Sequence, residues 1–131
     1  MIEYFFARQQ GVLMARVTGV YDIEAMASLD SFVAKFVAAN GPVRALYDFS
    51  EVEQVTVPES RMAERARQPS IAGGQRVMVA PRATGLSQAR AYSEQQSDAG
   101  QPVIGVVAKL EEAYVLLGLN YDAKFEPVRS V

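Results

Sequence analysis

The sequence predicts an α/β domain, a sandwich with a mostly parallel five-stranded sheet, an N-terminal antiparallel hairpin and about four helices. Three observations carry that reading. Two β-rich runs at the start are separated only by Gln9-Gln10-Gly11, a hairpin signal. The run 43–49, Val-Arg-Ala-Leu-Tyr-Asp-Phe, is apolar but for Arg44 and Asp48 and follows directly on an amphipathic helix. That is the pattern of a strand buried on both faces. From there to residue 118 strands and helical stripes alternate, which favours parallel pairing with right-handed crossovers.

The elements follow in order. Strands are expected over 2–8 and 12–18. Asp22 caps a helix over 23–39 whose Met26, Leu29, Val33, Phe36 and Val37 share one stripe, with Gly41 placed to end it. Thr56-Val57-Pro58-Glu59 reads as a capping box ahead of a polar helix over 58–67. Gly73-Gly74 reads as a flexible turn before a strand over 75–80. Thr84 is expected to cap a helix running to 97, and 102–108 is the most apolar strand. Leu110, Ala113, Tyr114 and Leu117 then form an i, i+3, i+4, i+7 stripe ended by Gly118. The tail 119–131 shows no clear element, and no boundary divides the 131 residues into more than one domain.

Composition excludes several classes of function. The 13 basic and 15 acidic residues give a net charge of −2, with a pI near 5.2 and no basic block, so nucleic acid is not the expected partner. Cysteine and histidine are both absent, which removes thiolate chemistry, disulfides, the commonest general base and the commonest zinc ligand. No cofactor or metal is expected. The N-terminus lacks a basic n-region and no apolar run approaches the ~20 residues of a membrane span, so a cytoplasmic protein is expected, off the membrane.

The candidate site lies at the strand carboxyl ends, where open α/β sheets hold ligands. Asp48 and Ser50 end the central strand; the plainer reading is that they tether a turn. Arg82, Thr84 and Gly85 stand at the next strand-to-helix junction, where free N–H groups and an arginine suit an anion; the plainer reading is a solvated arginine beside a cap. Arg61, Arg65 and Arg67, interleaved with Glu59 and Glu64, read as a solvated helix face. The aromatics Tyr4, Phe5, Phe6, Tyr21, Phe32, Phe36, Tyr47 and Phe49 fall at core periodicity and read as core rather than as a cavity lining.

These pieces together resemble the STAS-like (SpoIIAA-like) superfamily: a hairpin, a helix, and an apolar strand ending Asp-x-Ser-x-x-Val. The second half resembles an uncharacterised bacterial branch through Val79-Ala80-Pro81, Gly85, Ala89-Arg90-Ala91-Tyr92 and Glu112-Ala113-Tyr114-Val115-Leu116-Leu117-Gly118. The resemblance covers about residues 1–118 and implies a non-enzymatic regulatory module that binds other proteins. Phosphorylatable members carry Asp-Ser at the start of the helix after the strand-end Asp; here Thr56-Val57 stands there, so the switch is not carried over. The alternative is a small-molecule binder with an apolar or anionic pocket at the strand carboxyl ends. A homodimer is expected, because the apolar segment 1–8 reads as an edge strand needing cover.

Overall fold

The computed structural model describes residues 1–82 and 85–129. The order is β1 (Ile2–Ala7), β2 (Val12–Tyr21), α1 (Ile23–Asn40), β3 (Val43–Val55), α2 (Glu59–Ala66), β4 (Gly73–Val79), α3 (Gly85–Asp98), β5 (Gly105–Val107), α4 (Leu110–Leu116) and β6 (Glu126–Val128). One sheet runs β5-β4-β3-β2-β1-β6. Pairing is parallel from β2 through β5 and antiparallel for β1 with both β2 and β6. This is an α/β arrangement on a largely parallel sheet with an antiparallel hairpin, of six strands rather than five.

The sixth strand is the correction to the tail. Tyr4, Phe5 and Phe6 pair with Val128, Pro127 and Glu126, so the tail covers the β1 edge within the same chain. The edge that argued for a dimer is therefore already paired. Single-sequence reading missed β6 because three residues containing a proline carry almost no strand signal.

Two layers sandwich the sheet. On one face Leu13, Ala15, Val17, Ala45 and Phe49 pack against Leu29, Val33 and Phe36 of α1, with Met62 of α2 beside them. Tyr4 stacks on Phe32 at 3.5 Å between centroids, and Phe6 meets Phe36 edge-on at 4.9 Å. On the other face Val12, Met14, Leu46, Val77 and Val79 pack against Ala113 and Leu117, with Phe125 of the tail. Both faces of β3 are buried, as a central parallel strand requires.

Local chemistry sets the boundaries. Asp22 caps α1 by accepting the Ala25 N–H at 2.8 Å, and Gly41, at φ 86°, returns its N–H to the Val37 carbonyl. The capping box at Thr56 does not form. Thr56 N–H bonds the Tyr21 carbonyl at 3.0 Å, still continuing the β2–β3 ladder, and Pro58 is the N-cap, without a side-chain bond. Gly73-Gly74 is not a flexible turn but the start of β4. A Cβ on Gly74 would lie 2.7 Å from the Val43 carbonyl oxygen, so the two backbones approach more closely than a side chain permits.

Candidate functional site

Strand β3 does not stop at Asp48 but bends there. Arg16 pairs with Asp48 and Thr18 with Glu51, so β3 carries one extra residue; a second follows between Val52 and Gln54. Such bulges bend the strand and leave the extra residue outside the ladder. The Asp48 carboxylate supplies the missing bonds: Oδ1 accepts the Ser50 N–H at 3.0 Å and the Ser50 hydroxyl at 2.6 Å, while Oδ2 lies 3.6 Å from Arg16 Nε. Arg16 in turn lies over the Phe5 ring, 5.4 Å from its centroid. Asp48 is buried and fully engaged in holding a bulge, where a turn was expected.

Ser50, Arg82 and Gly85 do come together. They line an open groove of about 530 Å³ beside the bulge of β3 and at the carboxyl ends of β4 and β5, joined by Lys109 and Glu111 and floored by Val79, Ala80, Pro81, Leu86 and Leu110. Arg82 pairs with Glu51 at 2.6 Å, both largely exposed. Gly85 N–H donates to the Pro81 carbonyl at 2.9 Å. Asp48 is not among the lining residues, and Thr84 lies outside the described residues.

A second place was not read from the sequence as a site. Under the α1–α3 layer a cavity of about 70 Å³ is bordered by Tyr21, Asp30, Tyr47, Arg65, Arg76 and Tyr92, with methionines and Phe49 as apolar wall. An apolar annex of about 50 Å³ adjoins it and shares Tyr21, Phe49, Met62, Met78 and Tyr92. Arg65 is not on a solvated face: its Nε donates to Asp30 Oδ2 at 3.0 Å with the guanidinium mostly covered. Tyr21, Tyr47 and Phe49, expected as plain core, border this space. The signal that would have found it is Arg76, a lone charge in the apolar strand 73–79. Arg76 and Met78 alternate with Val77 and Val79, so they face the layer opposite α4.

Burial raises all three phenols of the cavity. It pushes Tyr47 up to about 12, with Arg76 opposing, and raises Tyr21 further. Tyr92 moves the same way, again mainly through burial. Burial also raises Asp30, against the pull of Arg65, and lowers Arg76. The phenols are thus neutral donors at neutral pH, and an alkaline titration should show it. Below the ordinary value of 10.0 folded and unfolded chains both hold the Tyr47 proton. Between there and about 12 only the unfolded chain releases it, so this contribution to stability is lost as pH rises through that window. We expect phenolate absorbance in that range to rise together with loss of circular dichroism. Phenolates forming fully while the fold stays intact would contradict the buried placement.

Among the described residues no group of three or more acidic side chains is placed to hold a metal ion. No helix among them is long and apolar enough to cross a membrane.

No protein-family model matches the chain, and no curated protein matches it. Among solved structures it is similar to the anti-sigma factor antagonist SpoIIAA in its unphosphorylated form. The two share 11% identity over 86% of this chain and 94% of the other, with a TM-score of 0.49. At that identity no residue's role passes from one to the other.

Proposed function

We propose that the chain is a cytoplasmic, non-enzymatic, STAS-like regulatory module that docks a protein partner at the strand carboxyl ends and lacks the Asp-Ser phosphorylation switch. The groove beside Ser50 supports this reading. Its floor is apolar and its rim carries both charge signs, Arg82 and Lys109 against Glu51 and Glu111. An apolar centre with a polar rim is how protein interfaces are built. The carboxylate nearest a hydroxyl, Asp48, is occupied by the bulge and by Arg16, which argues for scaffolding rather than acid–base work. A small-molecule carrier is the second reading, favoured by the cavity that contains Arg76.

With β1 paired to β6, a homodimer would have to use another surface; Val115, Leu116 and Tyr121 on and after α4 are the exposed apolar residues there.

Co-purification at native expression level tests the proposal. One stoichiometric protein is expected with the wild type, lost in Arg82→Glu/Lys109→Glu and retained in Arg90→Glu, with no phosphate on Thr56. Retention of the same partner by the doubly reversed groove, or stoichiometric phosphate on Thr56, would contradict it.

A further inference from the structure

The cavity beneath α1–α3 holds a charge that the fold does not balance. Arg76 is 7% exposed, yet no carboxylate among the described residues lies within ion-pair distance of it. Among the described residues its side chain makes one hydrogen bond, from Nη2 to the Pro102 carbonyl at 2.6 Å. A guanidinium has five N–H donors, so most of its capacity is unspent on the protein. Burying an arginine without a counter-charge is costly, and such groups are normally paired.

The neighbouring charges do not cancel it. Asp30 is bound to Arg65, and that pair is neutral as a unit. Tyr21, Tyr47 and Tyr92, whose phenols burial keeps protonated, add neutral donors around the same space. One positive charge with hydroxyl donors beside it and methionine and Phe49 walls beyond describes a receptor for one negative charge on an apolar body.

The wall near Arg76 is fixed rather than loose. Besides the Arg76 bond to Pro102, Gln96, 2% exposed, accepts the Ile104 N–H at 2.9 Å, and the Ser93 hydroxyl donates to the Ile104 carbonyl at 3.1 Å. Ile104 borders the cavity, so the α3–β5 connection is clamped as one side of it. Asp30, about a third exposed, marks where the cavity meets solvent.

We propose that this cavity is a binding site for a short-chain aliphatic carboxylate, its carboxylate on Arg76 and its body among Met62, Met78 and Phe49. The charge count decides between anions: a planar monoanion matches one guanidinium in a bidentate fork, whereas a phosphate dianion leaves a charge unpaired in an apolar setting. The cavity and its annex, about 70 and 50 Å³, fall short of the ~150 Å³ that holds a benzene ring, so the body they fit is a short aliphatic chain. The site is separate from the groove beside Ser50, so the partner reading stands or falls independently.

The test is a titration of the full chain with propionate, butyrate, inorganic phosphate and sulfate, read by thermal shift and by amide chemical shifts. We expect propionate or butyrate to raise the melting temperature and to move the amides of residues 47, 76–78, 92 and 104. Phosphate and sulfate should do neither. Arg76→Gln, which keeps a donor for the Pro102 carbonyl, should weaken carboxylate binding roughly ten-fold or more. Should that variant fail to fold, Met78→Trp, which fills the cavity, should abolish the same shifts. No response of the wild type to either carboxylate, shifts confined to residues 82–86 and 109–111, or equal binding by folded Arg76→Gln would each overturn the proposal.

Discussion

Leu117→Ala should lower unfolding free energy by about 2–5 kcal/mol, the range for deleting a buried leucine side chain. Leu117 is 2% exposed and packs in the cluster formed by Val12, Met14, Leu46, Val77 and Val79. The loss should fall toward the upper part of that range because the site cannot collapse. Leu117's own carbonyl accepts Arg44 Nη1 at 2.6 Å, and Arg44 Nη2 reaches the Gln10 carbonyl at 2.9 Å. The Leu117 N–H is held by the Ala113 carbonyl at 3.0 Å. The backbone is thus pinned on both sides, and a void left by the side chain stays open. Val115→Ala, on the outward face at 78% exposure, should stay within about 0.5 kcal/mol. Chemical denaturation of the two variants checks the order, and equal midpoints would mean that α4 does not seat as described.

Gly74→Ala should destabilise by about 1–3 kcal/mol, as overpacking does. The added methyl would meet the Val43 carbonyl oxygen at 2.7 Å, the Val43 carbonyl carbon at 3.1 Å and the Arg44 nitrogen at 3.2 Å. All three are backbone atoms of β3, so no side chain swings aside. Retreat of β4 is opposed by the Val43 N–H bond to the Ala72 carbonyl at 2.9 Å. The register shift between Val43 and Ala45 places β4's extra residue at this spot. Gly105→Ala is the contrast. Its nearest neighbour would be Leu116 Cδ1 at 3.6 Å, an ordinary contact, and the lost chain freedom of glycine makes this change neutral or stabilising by about 0.4–1 kcal/mol. Melting curves separate the two, and an indifferent Gly74→Ala would show that β3 and β4 are not so close.

What the sequence made legible follows from signal length. The long stripe of α1, its Asp22 cap and its Gly41 stop were readable because 18 residues repeat one pattern. The stripe Leu110, Ala113, Tyr114 and Leu117 was readable for the same reason. Strand β3 was read too short because Asp48 and Ser50 look like a turn. Their hydrogen bonds are turn-like, but they serve a bulge inside a strand that β2 continues to pair. Tertiary pairing overrode local chemistry there. The same holds at Thr56, which the β2–β3 ladder claims before it can cap α2. Ser50, Arg82 and Gly85 line one groove because neighbouring parallel strands bring their following turns to the same edge of the sheet. The Arg76 cavity was not legible, since Asp30, Arg65, Arg76 and Tyr92 sit on four separate elements and only folding brings them together.

The central claim is that the strand carboxyl ends form the working surface. A photo-crosslinking residue at Arg82, with a second chain carrying it at Arg90, tests this most directly in the native cell. The account predicts one dominant cross-linked protein from position 82 and none from position 90. Cross-linking from 90 alone, or the same products from both positions, would contradict it.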